Sequence, residues 1–155
     1  MRRIYSVIAW VIAGGVVVQA ASIGFAFGGV LNHVQEGGVV DKALIESDQS
    51  GFTGQLGFWI HEIGGGVVIP LAAVALLVVS FFVRARGARL WAAIVLGLVA
   101  LQATLGYAIT DVPYIGLIHG ANALAVLAAS VIAALRVGRM ARTRVEEATS
   151  DAVAA

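Results

Sequence analysis

The sequence predicts an all-α integral membrane protein, an up-down-up-down four-helix bundle with both termini cytoplasmic. Three observations lead there: the apolar content, the length of four apolar runs and the placement of the arginines. Of 155 residues, 60% are hydrophobic and 12% charged, more apolar surface than a soluble domain of this size buries. Roughly 20 consecutive apolar residues cross a hydrocarbon core about 30 Å thick. Four segments reach that length: Ile4 to Val30, Gly54 to Val83, Leu90 to Thr110 and Val112 to Leu135. None alternates with the period of two that barrel strands need, which leaves helices as the spanning form.

The charges orient these spans. Arg2 and Arg3 precede the first, Arg84, Arg86 and Arg89 fill the link between the second and third, and Arg136, Arg139, Arg142 and Arg144 follow the fourth. All nine arginines thus fall on one side, against Lys42 alone on the other. The positive-inside rule puts that side in the cytoplasm, N-in and C-in. Topology accounts for the basic clusters, so no nucleic-acid partner is expected. There is no cysteine, which excludes disulfides, thiolate metal sites and thiol catalysis.

Taken in order, the first run with Arg2-Arg3 and the small residues of "VQAAS" also has features of a signal peptide. It continues through "IGFAFGGV" to Val30, beyond the roughly 7–15 residues of a signal core, and reads as a retained helix. The outer loop, Asn32 to Thr53, is acidic through Glu36, Asp41, Glu46 and Asp48. Its "EGGVV" and "SDQSG" are turn chemistry, and "VVDKALIES" between them is suited to a short surface helix. The loop reads as a solvated connector and His33 as an interfacial side chain. The short links "RARGAR" and "TDVP" make helices two and three, and three and four, antiparallel neighbours. Asp111 and Pro113 resemble a helix start. Residues 1–144 form the transmembrane domain in this reading and 145–155 a mobile cytoplasmic tail.

Two histidines interrupt the apolar runs at the same dipeptide, Ile-His, in "FWIHEIGGG" and "LIHGANA". The preceding helices carry "VVQAASIGFA" and "ALQATLGYA", each with Gln-Ala followed by Gly-aromatic-Ala. This pattern points to a hairpin duplicated in tandem, with one histidine per copy. His61 lies seven residues after Gly54 and His119 seven after Val112, roughly 10 Å along either helix. Counting from the inner side, His61 is 23 residues from Arg84, and His119 is 17 from Arg136 or 20 from Arg139, so the depths are compatible rather than equal.

Polar residues inside a membrane face the bundle interior and take a partner. Histidines from alternate helices suit a flat, apolar group that accepts neutral imidazole on both faces, which describes haem b with His61 and His119 as axial iron ligands. Gly64, Gly65 and Gly66 beside His61, and Gly120, Ala121 and Ala123 beside His119, leave room for a macrocycle. Gln19 and Gln102 read equally as hydrogen-bonding groups behind the ligands or as interhelical glue. Each histidine taken alone also reads as an interfacial residue, glycine runs as helix contacts, and Trp10, Trp59 and Trp91 as interfacial anchors. Glu62 points about 100° away from His61 around the helix and reads as an interfacial acid or a proton-handling group. A set of His61, Glu62 and His119 holding zinc or copper, or serving a quinone, is a further alternative.

The segment "LQATLGYAITDVPYIGLIHGANALAVLAA" resembles the third and fourth helices of one half of the haem A synthase family. The resemblance covers helices two to four and rests mainly on Gln102, Leu105-Gly106 and the two histidines. It implies a haem gripped by second- and fourth-helix histidines, here His61 and His119. The pattern departs from the family in having one half only, no outer-loop cysteine pair, and Gly57 and Phe58 where a carboxylate is expected a turn before the second-helix histidine. Those departures bear on methyl-group oxidation rather than on haem binding. The overall pattern is also similar to small bacterial four-helix membrane proteins, which implies the bacterial cytoplasmic (inner) membrane. The functional expectation is a b-type cytochrome-like protein for electron transfer or haem handling, more an electron carrier than a catalyst. A respiratory-chain or quinone partner and a homo-oligomer are compatible with it. The alternative is a cofactor-free accessory subunit of a respiratory or transport complex.

Overall fold

A computed structural model describes residues 1–46 and 51–154. Among the described residues there is no strand. The elements are α1 (Arg2–Gln35), α2 (Lys42–Glu46), α3 (Gln55–Ile63), a π-helical turn (Gly64–Val68), α4 (Ile69–Ser80), α5 (Ala88–Ala108) and α6 (Ile115–Ala154). Four stretches are long and apolar enough to cross a membrane: Arg2–Gln35, Gln55–Ser80, Ala88–Ala108 and Ile115–Gly138. They match the four expected runs in number and place. At most 28% of any span's apolar window is buried within the chain, in keeping with a bilayer environment.

The helix ends follow local chemistry. α1 ends where Gly37 adopts a left-handed φ of 86° and the N–H groups of Gly37 and Gly38 return to the carbonyls of Val34 and His33, a glycine C-terminal stop. The short outer helix expected within "VVDKALIES" is α2, capped by the Asp41 carboxylate, which accepts from the Leu44 N–H at 2.8 Å. The "SDQSG" turn and Asp48 fall largely at positions 47–50, outside the described residues. α6 starts two residues beyond Pro113, not at the Asp111–Pro113 start expected from sequence. The carbonyls of Val112, Pro113 and Tyr114 accept from N–H groups three residues on, and this tighter winding takes up the short link before the α-helix begins. Helix continues through 145–154, the segment expected as a tail; position 155 lies outside the described residues.

The π turn has a covalent cause. Pro70 has no N–H, and its ring crowds the carbonyl four residues back, that of Gly66. Three consecutive glycines let the backbone widen there, and a π turn carries the helix past the proline.

The chain divides into two compact units, Met1–Val16 with Ile69–Ala155, and Val17–Val68. The first has a core of helical stripes. Tyr5, Ala9 and Ile12 come from α1, Ile69, Ala73 and Leu76 from α4, Ala88, Ala92, Val95 and Val99 from α5, and Val126, Ala129, Ala133 and Val137 from α6. The spacing of three and four puts each set on one helix face. Alanine dominates, so the backbones approach closely, as membrane helices do when small residues line the contact. α4 packs on α5, and α5 on α6.

Polar contacts in this unit join its arginine-bearing segments. Arg2 donates to the Arg84 carbonyl at 3.0 Å, Tyr5 Oη–H to the Ala88 carbonyl at 2.9 Å and Ser6 to the Ala134 carbonyl at 3.4 Å. The Arg136 guanidinium stands 5.3 Å over the Trp91 ring, a cation–π contact.

In the second unit α1 and α3 meet backbone to backbone. A Cβ at Gly29 would run into the Thr53 carbonyl, one at Gly54 into the Phe25 carbonyl and one at Gly57 into the Ser22 carbonyl. Gly54 also has a φ of 103°, which side chains other than glycine rarely adopt. Phe52 and Phe58 stand edge-on at 6.5 Å, with Phe27 against Phe58 and His33 against Phe52.

Candidate functional site

His61 and Gly57 lie four residues apart on α3 and share a face. Because Gly57 lets α3 close on α1 at Ser22, the imidazole one turn further along reaches the α1 backbone. His61 Nδ1 lies 3.2 Å from the Gln19 carbonyl oxygen. A carbonyl only accepts, so in the neutral ring the proton sits on Nδ1 and the lone pair on Nε2. That is how ligating histidines are commonly oriented: one nitrogen donates to a protein acceptor and fixes the tautomer.

The Gln19 side chain turns to the same place. Its amide N–H donates to the Ile60 carbonyl at 3.3 Å, while Oε1 is buried without a hydrogen-bond partner. A Cβ at Gly64 would run into the Gln19 amide nitrogen, and one at Gly65 would lie 3.1 Å from Oε1. The room these two glycines provide is therefore taken by Gln19, not left open as the sequence reading expected.

His119 is held differently. Its Nε2 lies 3.0 Å from Gln102 Nε2, and Gln102 Oε1 accepts from Asn122 Nδ2 at 2.7 Å. Asn122 Nδ2 also donates to the Leu98 carbonyl at 2.9 Å. Gly106, one turn beyond Gln102, lets the ring lie against α5, since a Cβ there would be 3.3 Å from His119 Cε1 and 3.6 Å from Nδ1. The polar chain therefore joins α5 to α6 and gives Gln102 an interhelical role. Here too the neutral ring carries its proton on Nδ1, because the Gln102 amide nitrogen only donates.

In each unit a glutamine on one helix lies against a histidine on the next and the residue three beyond it, Gln19 reaching the ring through its backbone carbonyl and Gln102 through its side-chain amide. The sets are Gln19, His61 and Gly64 in one unit, and Gln102, His119 and Asn122 in the other. Sequence reasoning paired the glutamines and the histidines but passed over Asn122. A buried amide inside an apolar span, one turn from His119, was the available signal.

Gly120 is exposed, and a Cβ there would meet nothing within 4 Å. Glu62 is exposed beside the half-buried His61, and Trp10 and Trp59 are exposed as interfacial anchors would be. Among the described residues no group of three or more His, Cys, Asp or Glu side chains is placed to hold a metal ion. The chain matches no protein family, no curated protein and no solved structure.

Proposed function

We propose that the chain is a haem-binding protein of the bacterial cytoplasmic membrane, similar to one half of the haem A synthase family. His61 and His119 are the residues that would hold haem b, in an up-down-up-down bundle with both termini inside. The observation that carries this reading is the His61 Nδ1 contact with the Gln19 carbonyl. It orients a neutral imidazole with its lone pair on Nε2, the state an iron ligand requires. His119 has the same tautomer, and ligation through it requires Gln102 to withdraw.

The topology has support from pairings along α5 and α6. Gln102 meets His119, Leu98 meets Asn122 and Trp91 meets Arg136, so one helix descends as the other rises. The Arg2 and Arg84 contact is what two cytoplasmic ends would make.

A bound haem supplies one-electron exchange. The protein's part is to hold two imidazoles neutral and oriented and to surround them with apolar helices. A haem held by two histidines would serve electron transfer or haem handling rather than oxygen chemistry.

Purified protein supplemented with haem should give a low-spin b-type reduced-minus-oxidised spectrum, and His61→Ala and His119→Ala should each abolish it. A flat spectrum from folded, haem-supplemented protein removes the proposal. The cofactor-free accessory subunit is the second reading. It is favoured by the Leu98–Asn122–Gln102–His119 chain, which satisfies His119 Nε2 with protein alone. Colourless protein that co-purifies with a larger respiratory or transport assembly would support it.

A further inference from the structure

We infer that Gln102, oriented by Asn122, is a built-in competitor for the ligating nitrogen of His119; the haem side of this inference rests on the reading above. The direction of the chain is set at its far end. The Leu98 carbonyl can only accept, so Asn122 must present its N–H₂ group there, at 2.9 Å. The same nitrogen reaches Gln102 at 2.7 Å, so Gln102 must present Oε1 to Asn122. Its own N–H₂ is left for His119, at 3.0 Å. Every amide in the chain therefore has one permitted orientation, and His119 Nε2 has to be the acceptor.

This contact excludes ligation through either ring nitrogen. A ligand bound at Nε2 takes the lone pair that Gln102 uses. A ligand bound at Nδ1 moves the proton of the neutral ring to Nε2, where it faces the Gln102 N–H₂, donor against donor. Rotating the Gln102 amide by 180° relieves that clash only by turning its N–H₂ on Asn122. Rotating Asn122 in turn sets its oxygen against the Leu98 carbonyl. Asn122 is 8% exposed, so water does not readily replace a lost bond.

Gln102 is thus a positioning residue with two effects. It pins α5 to α6 while His119 has no ligand, and it lowers the affinity of His119 for an incoming iron. At His61 the contact with the Gln19 carbonyl engages Nδ1 instead.

The test uses the full chain with ¹⁵N-labelled histidine in detergent, free of haem and then titrated with haem b. Wild-type His119 should show the proton on Nδ1 and a lone pair on Nε2, and Gln102→Leu should redistribute the two tautomers. Gln102→Leu should also bind haem about twofold to tenfold more tightly than wild type, the equivalent of one net hydrogen bond. Asn122→Leu, which leaves Gln102 in place without its anchor, should give a smaller gain in the same direction. A wild-type His119 protonated on Nε2, or a Gln102→Leu affinity equal to or below wild type, overturns the inference. If neither wild type nor Gln102→Leu takes up haem, the haem reading fails, and the tautomer measurement alone decides whether Gln102 holds His119 Nε2.

Discussion

Alanine at position 57 perturbs the helix contact on which the position of His61 depends. Its Cβ would lie 3.0 Å from the Cβ and N of Ala26 and nearer still to the Ser22 carbonyl oxygen, where comfortable carbon contacts are about 3.5–4.0 Å. The atoms on the far side are backbone or an alanine Cβ and cannot rotate away, so α1 and α3 must separate. Overpacking of this kind costs roughly 1–3 kcal/mol. The separation also loosens the 3.2 Å contact of His61 with the Gln19 carbonyl and the 3.3 Å bond from Gln19 to Ile60, each about 0.6 kcal/mol by membrane-protein standards. The expected loss is about 2–4 kcal/mol. Gly24→Ala is the matched control on α1: a Cβ there meets nothing within 4 Å, and an interior glycine replaced by alanine gains about 0.5–1 kcal/mol. The same chemical change should therefore move stability in opposite directions at the two sites. Reversible unfolding in mixed detergent micelles, followed by circular dichroism, measures both. A Gly57→Ala protein as stable as Gly24→Ala would refute the close approach and, with it, the account of how His61 is positioned.

Two further outcomes follow from the fold. Tyr5→Phe keeps a buried ring and loses only the 2.9 Å bond to the Ala88 carbonyl, so it should cost about 1 kcal/mol, whereas Tyr5→Ala should cost about 3–5 kcal/mol through lost packing; equal losses in the same unfolding assay would contradict this division. Pro70→Ala restores an N–H within reach of the Gly66 carbonyl, so the turn at Gly64–Val68 should tighten to ordinary α-helix, read from hydrogen-bond couplings or amide exchange; persistence of the wide turn would show that the glycines alone produce it.

The number and place of the spans were legible because the bilayer imposes a length and a polarity that composition reports directly. The stop at Gly37 was legible as turn chemistry, whereas Asp41, which caps α2, read only as one of the acidic residues of the loop. The start of α6 was not legible, because Asp111 and Pro113 look like a cap and a first turn, yet the carbonyls of Val112, Pro113 and Tyr114 accept i+3 bonds and the α-helix begins at Ile115. The likeness of the two Gln–His hairpins showed in four aligned letters, but the atoms in contact differ, a backbone carbonyl at His61 and a side-chain amide at His119. The glycines at 64 and 65 misled, since open space in sequence is filled in three dimensions by a side chain forty-odd positions earlier, Gln19.

By itself, the sequence determined an all-helical chain with four membrane-length spans and two histidines in matching surroundings, because hydrophobic length and residue type are local properties that hold before any helix meets another. Only the tertiary structure decided which nitrogen of each imidazole carries the proton. That depends on what lies across the helix contact: a backbone carbonyl opposite His61 and a side-chain amide opposite His119. An acceptor and a donor leave the same residue type in different chemical situations, and no spacing along the chain distinguishes them.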